Sequence, residues 1–145
     1  PAAHPDLELL RWREDRLCVC AAPGHRLAGR RLQAKDFAGA RWILREAGSA
    51  TRTQAERALA SLPAGETVLE LDQSESIKQA VIAGLGLALL PAVSIVDAQA
   101  AGRLVVLRTP FLNLTRQLSL VLHRRKYRGT LLQGFLDSVP RSSRR

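Results

Sequence analysis

Residues 42–62 read WILREAGSATRTQAERALASL, and this stretch decides how the rest of the chain folds. Trp42, Ile43 and Leu44 form a short apolar run of strand character, closed by a polar turn over residues 46–51. A helix follows, because Ala55, Ala58, Leu59 and Leu62 fall at i, i+3, i+4 and i+7, the stripe of an amphipathic helix. Ser49, Thr51 and Thr53 stand where N-caps are expected, and Thr53 with Glu56 fits a capping box. A strand running through a Gly48-Ser49 turn into a helix gathers backbone N–H groups at one point. Hydroxyls and Arg52 lie beside them, so the turn suits a small anion or carboxylate.

The flanking chain repeats the same grammar. Residues 7–12 and 16–22 read as two short extended segments. In the second, Leu17, Val19 and Ala21 alternate with Cys18, Cys20 and Ala22, so both faces are apolar and the strand is buried between layers. Pro23-Gly24-His25 breaks it, and residues 33–38 read as a short helix. A strand at 67–71 leads into a second helix opened by Asp72-Gln73-Ser74, with Ser76 and Gln79 offering an alternative capping box. Ile77, Ala80, Val81 and Gly84 mark its inner face. Strand 87–90, a third helix at 92–101, strands at 103–107 and 117–123, and a last helix at 129–139 complete the order. Strands alternating with helices of about ten residues predict an α/β fold with a mainly parallel sheet.

Three stretches, in order, are similar to the C-terminal effector-binding domain of LysR-type transcriptional regulators. LREAGSATR resembles that family's effector-loop motif. DRLCVCAAPGHRLAG at 15–29 is similar to its strand and Pro-x-His-x-Leu-Ala turn. SESIKQAVIAGLGLALLPAVSI at 74–95 is similar to its helix, Gly-x-Gly, strand and proline. The resemblance spans residues 7–139 and implies a periplasmic-binding-protein-like, type II, two-lobed fold. By it, residues 1–15 end a first-lobe segment, 16–116 form a complete second lobe and 117–139 return to the first lobe, which is partial. Residues 140–145 are then a disordered basic tail. It further implies an N-terminally truncated chain, whose DNA contacts belong to a helix-turn-helix outside it.

Composition narrows the function classes. At 145 residues, with 46% hydrophobic and 24% charged residues, the chain suits a soluble globular protein with a real core. No apolar run approaches the ~20 residues needed to span a membrane, and no signal peptide opens the chain. Cys18 and Cys20 share one strand face, a poor disulfide geometry, and read as reduced thiols of a cytoplasmic protein. The net charge is +9, yet residues 37–122 hold eight basic against seven acidic residues. The excess lies mainly in residues 124–145, with a smaller share from Arg26, Arg30, Arg31 and Lys35. Only Tyr127 interleaves with the basic end, whereas stacking on single strands needs several aromatics, so the charge reads as solvated surface.

No catalytic constellation, cofactor motif or metal-ligand spacing is found. Gly84-x-Gly86 precedes a strand and has no glycine at 89, so it is a turn rather than a dinucleotide fingerprint. His4, His25 and His123 are scattered. Glu46 and Asp72 pair only if folding unites them. The resemblance therefore implies a non-enzyme: a homo-oligomeric sensor of a small, anionic effector, held in an inter-lobe cleft by Gly48, Ser49, Thr51, Arg52, Ser74 and Ser76. Ser74 and Ser76 follow a strand end, where open α/β sheets bind ligands. An exported solute-binding protein of similar fold is the alternative; a two-lobed dehydratase-like enzyme and a nucleic-acid module are weaker rivals.

Overall fold

The computed structural model describes residues 4–139, so the basic tail at 140–145 lies outside the described residues. The chain divides into two compact units, one of residues 16–114 and one of residues 1–15 with 115–145.

The larger unit is a sheet between two apolar layers. Its strands are the second half of β1 (Leu7–Ala21), β2 (Arg41–Arg45), β3 (Glu66–Leu71), β4 (Ala88–Pro91) and the short β5 (Val105–Val106). β2 pairs with β3 in parallel, from Arg41 opposite Glu66 to Arg45 opposite Leu71. A parallel bridge between Trp42 and Leu87 joins β2 to the start of β4. β1 runs antiparallel to β4, with Leu17 opposite Pro91 and Cys20 opposite Ala88, and antiparallel to β5. The sheet is therefore mixed, and the expectation of a mainly parallel sheet is corrected. β1 carries no crossover helix linking it to β4, so nothing compels it to run in the direction of the βαβ strands.

Side-chain alternation fills the two layers. Leu17, Val19 and Ala21, Trp42 and Leu44, and Leu87 and Leu89 face one core, which α1 (Ala50–Leu59) closes through Ala55 and Ala58. Cys20, Ile43, Ala88 and Leu90 face the other, covered by α2 (Ser74–Ile82) through Ile77, Ala80 and Val81 and by α3 (Ala92–Ala100) through Ile95 and Ala98. Each strand contributes to both layers, as its doubly apolar sequence demands. Phe37, at the end of a 3-10 turn (Ala34–Phe37), stacks on Trp42 with ring centroids 6.0 Å apart. Gly86 lets β4 approach β2: a Cβ there would lie 2.8 Å from the Arg41 carbonyl oxygen.

The smaller unit holds the first half of β1, β6 (Thr115–His123), which pairs with β1, and α4 (Thr130–Ser138). The two extended segments expected at 7–12 and 16–22 are thus one continuous strand. Arg116 closes on the Asp15 carboxylate at 2.6 Å, and Asp15 is only 8% exposed. Arg128 also pairs with Glu8. On α4, Leu136 is buried while Leu131 and Phe135 are exposed.

Candidate functional site

β2 and β3 end side by side, and each hands the chain directly to a helix. Arg45 lies opposite Leu71, α1 begins at Ala50 and α2 at Ser74. The N-termini of both helices therefore stand at the carboxyl end of one parallel strand pair, where ligands of open α/β sheets bind. Gly48 makes the sharper turn possible with φ of +88°, a left-handed conformation that glycine adopts without penalty. Ser49 N–H donates to Glu46 O at 3.2 Å, and Glu46 N–H to Leu71 O at 3.2 Å, so the turn is tied to both strands.

Ser49 is the N-cap of α1, but its side chain makes no capping hydrogen bond. The first helical bond is Thr53 N–H to Ser49 O at 3.0 Å. Amides 50–52 thus belong to the first turn, which has no intrahelical acceptors. The capping box expected of Thr53 and Glu56 does not form. Thr53 lies inside the first turn, where its hydroxyl donates to Ser49 O at 3.3 Å, and Glu56 is taken by Arg52. Nor does the box of Ser76 and Gln79, because α2 starts earlier, with Gln73 as N-cap, and Gln79 donates to Glu75 at 2.9 Å.

Two arginines knit the site. Arg52 donates from Nε to Glu56 at 2.6 Å and from Nη1 to Glu70 at 2.9 Å and to Arg45 O at 2.7 Å. Arg45 grips Glu46 through Nε at 2.7 Å and Nη2 at 2.8 Å, and its Nη1 donates to Ser74 Oγ at 3.3 Å. The hydrogen bonds from Arg45 hold the Glu46 carboxyl below its ordinary value, and Glu46 in turn raises the guanidinium. Glu56, ahead of Glu70, raises Arg52. The guanidinium charges are matched by Glu46, Glu56 and Glu70; the first turn of α1 carries no acidic residue, whereas that of α2 carries Glu75.

Of the residues expected to bind an effector, Gly48, Ser49, Thr51 and Arg52 form the α1 turn. Ser74 meets them through Arg45. Ser76 is exposed, two residues beyond the start of α2. Glu46 and Asp72 do not form a carboxylate pair; Arg45 lies within the field of both. Sequence reasoning missed Arg45 and Glu70, whose roles depend on partners 29 and 18 residues away in the chain. The only signal for Arg45 was its place as the last residue of a strand beside the turn.

The LysR substrate binding domain model matches residues 1–143. The uncharacterized HTH-type transcriptional regulator YeiE of Escherichia coli K12 is 42% identical over 136 residues, covering 90% of this chain and 46% of YeiE. The HTH-type transcriptional regulator CbbR of Cereibacter sphaeroides is 40% identical over 106 residues, covering 71% of this chain and 34% of CbbR. The chain thus spans about half the length, or less, of these curated relatives. Among solved structures, the Synechocystis PCC6803 CcmR regulatory domain in complex with 2-PG superposes with a TM-score of 0.85 at 27% identity, over 96% of this chain and 68% of that one. A reduced form of OxyR from N. meningitidis, at 17% identity, shares the fold with a TM-score of 0.77, over 96% of this chain and 65% of that one. The chain belongs to the LysR substrate-binding-domain family, with the periplasmic-binding-protein-like type II fold of its regulatory domains.

Proposed function

We propose that this chain is the effector-sensing part of a cytoplasmic LysR-type transcriptional regulator, and that a small anionic metabolite docks at the N-termini of α1 and α2. The observation that carries the reading is the convergence of two helix N-termini on the ends of β2 and β3, bridged by the Arg45 hydrogen bond to Ser74. A carboxylate or phosphate there meets first-turn amides, the Ser49, Thr51, Ser74 and Ser76 hydroxyls and the Gly48 turn. The dipole contribution is about 0.3–1 kcal/mol at exposed sites and up to ~2 when partly buried. Each charge-assisted hydrogen bond adds roughly 1.5–3 kcal/mol. The three Arg52 hydrogen bonds described use three of its five N–H donors, and the rest serve the effector. Binding biases the regulator between two states, and the bias is relayed through homo-oligomer contacts to a DNA-binding domain outside this chain.

The CcmR complex with 2-PG supports a small organic anion as the ligand class. The test is calorimetric titration of the chain with a panel of small carboxylates and phosphate esters led by 2-PG. Thr51→Val, which removes a hydroxyl at nearly constant volume, should weaken the ligand that binds by about tenfold. Ser61→Ala, beyond the far end of α1, is the control. An unchanged affinity in Thr51→Val with a lowered melting temperature would reduce the hydroxyl to a structural role.

A further inference from the structure

Another concavity lies within the same unit and shares no residue with the turn at 48–52 or the start of α2. It encloses about 1050 Å³ along the β1–β5 margin, and four arginines from three separate segments line it: Arg16, Arg30, Arg31 and Arg108. The sequence places them there by simple means. Leu17 N–H donates to Leu114 O at 2.9 Å and Leu107 N–H to Val19 O at 2.8 Å. Those two bonds pin both ends of the loop at 108–113 to β1. Arg16 precedes one anchor and Arg108 follows the other. Leu27 and Leu32 are buried beneath the turn that carries Arg30 and Arg31. The turn itself is made at Gly29, with φ of +70°.

The charge is unbalanced. No aspartate or glutamate lines the cavity, and among the described residues none of its four guanidinium groups has an ion-pair or hydrogen-bond partner. By contrast, Arg45 is matched by Glu46, Arg52 by Glu56 and Glu70, and Arg116 by Asp15. Four like charges around one hollow repel one another, and an anion placed among them relieves that repulsion. Their planar forks are suited to phosphate and carboxylate oxygens. The floor is apolar, from Leu17, Val19, Leu107 and Leu114, and the buried Thr109 supplies a hydroxyl. The volume is that of a small-molecule site. No aromatic ring lines it, so it offers no stacking surface for bases.

We propose that this groove is a second anion site, for a small organic molecule with two or more phosphate or carboxylate groups on an apolar body. It stands independently of the α1–α2 site. The intact chain is titrated by calorimetry at about 0.15 M salt with inorganic pyrophosphate, citrate, inorganic phosphate and phenyl phosphate. Pyrophosphate or citrate should bind saturably, the stronger of the two identifying the anionic group. Phenyl phosphate should bind more tightly than inorganic phosphate because of the floor. The double substitution Arg30→Gln with Arg108→Gln should weaken binding by about tenfold or more. The corresponding double lysine variant, which keeps the charge, should lose less. Arg57→Gln, a charge removed from the exposed face of α1, should change nothing. Affinity within twofold of the native chain in the double glutamine variant would overturn the proposal. So would the absence of saturable binding to any probe, or use of these arginines by a DNA duplex alone.

Discussion

The guanidinium of Arg52, in the first turn of α1, donates to the main-chain carbonyl of Arg45, the last residue of β2, at 2.7 Å. One side chain thereby ties the helix start to the strand end across the Gly48 turn, while its ion pairs reach Glu56 on α1 and Glu70 on β3. The Arg52 side chain is 17% exposed, but both carboxylates are about half exposed, so solvent screens much of the pairing. Arg52→Met should cost about 1–2 kcal/mol in urea denaturation, chiefly through the orphaned Arg45 carbonyl. Glu70→Gln should cost less than half of that. If Glu70→Gln equalled Arg52→Met, the ion pair rather than the carbonyl bond would hold the turn.

Two glycines near the site act for different reasons, and alanine separates them. At Gly48 an added Cβ meets nothing within 4 Å, and the penalty is conformational, from φ of +88°. Gly48→Ala should therefore cost about 1–2 kcal/mol and leave the sheet intact. At Gly86 the Cβ lies 2.8 Å from the Arg41 carbonyl oxygen and 3.3 Å from Ile43 Cγ1, so β4 has to move away from β2. Gly86→Ala should cost about 3 kcal/mol, the upper part of the overpacking range. The two melting temperatures check the order.

Burial, aided by the neighbouring Cys18, pushes the Cys20 thiol from 9.0 to about 12. Three pH units correspond to about a thousandfold less thiolate at neutral pH than for an ordinary thiol. Labelling of the folded chain with a thiolate-specific reagent should leave Cys20 unmodified, and urea should release it in step with global unfolding. Rapid labelling of Cys20 under native conditions would mean that β1 opens at the β4 interface.

Much of this architecture was legible in the sequence. The alternation over residues 16–22 announced a strand buried on both faces, and Leu17 and Cys20 do face opposite cores. The motif series named the family that the comparisons show. Strand direction was not legible, because alternation has no polarity and β1 meets β4 about 70 residues later without a connecting hairpin. The capping boxes failed for a related reason. Several hydroxyls and carboxylates compete at each turn, and tertiary partners such as Arg52 decide which carboxylate is taken. Arg45 escaped notice because its partner Ser74 arrives only when β2 and β3 pair.

The most direct test of the proposed anion site is an amide chemical-shift map of the isotopically labelled chain, titrated with the carboxylate or phosphate ester that binds it. The largest saturable shifts should fall on residues 48–53 and 74–76, and Thr51→Val should raise the half-saturating ligand concentration by about tenfold, in parallel at both helix starts. Shifts that saturate elsewhere, with residues 48–53 and 74–76 unmoved, would contradict the proposed site.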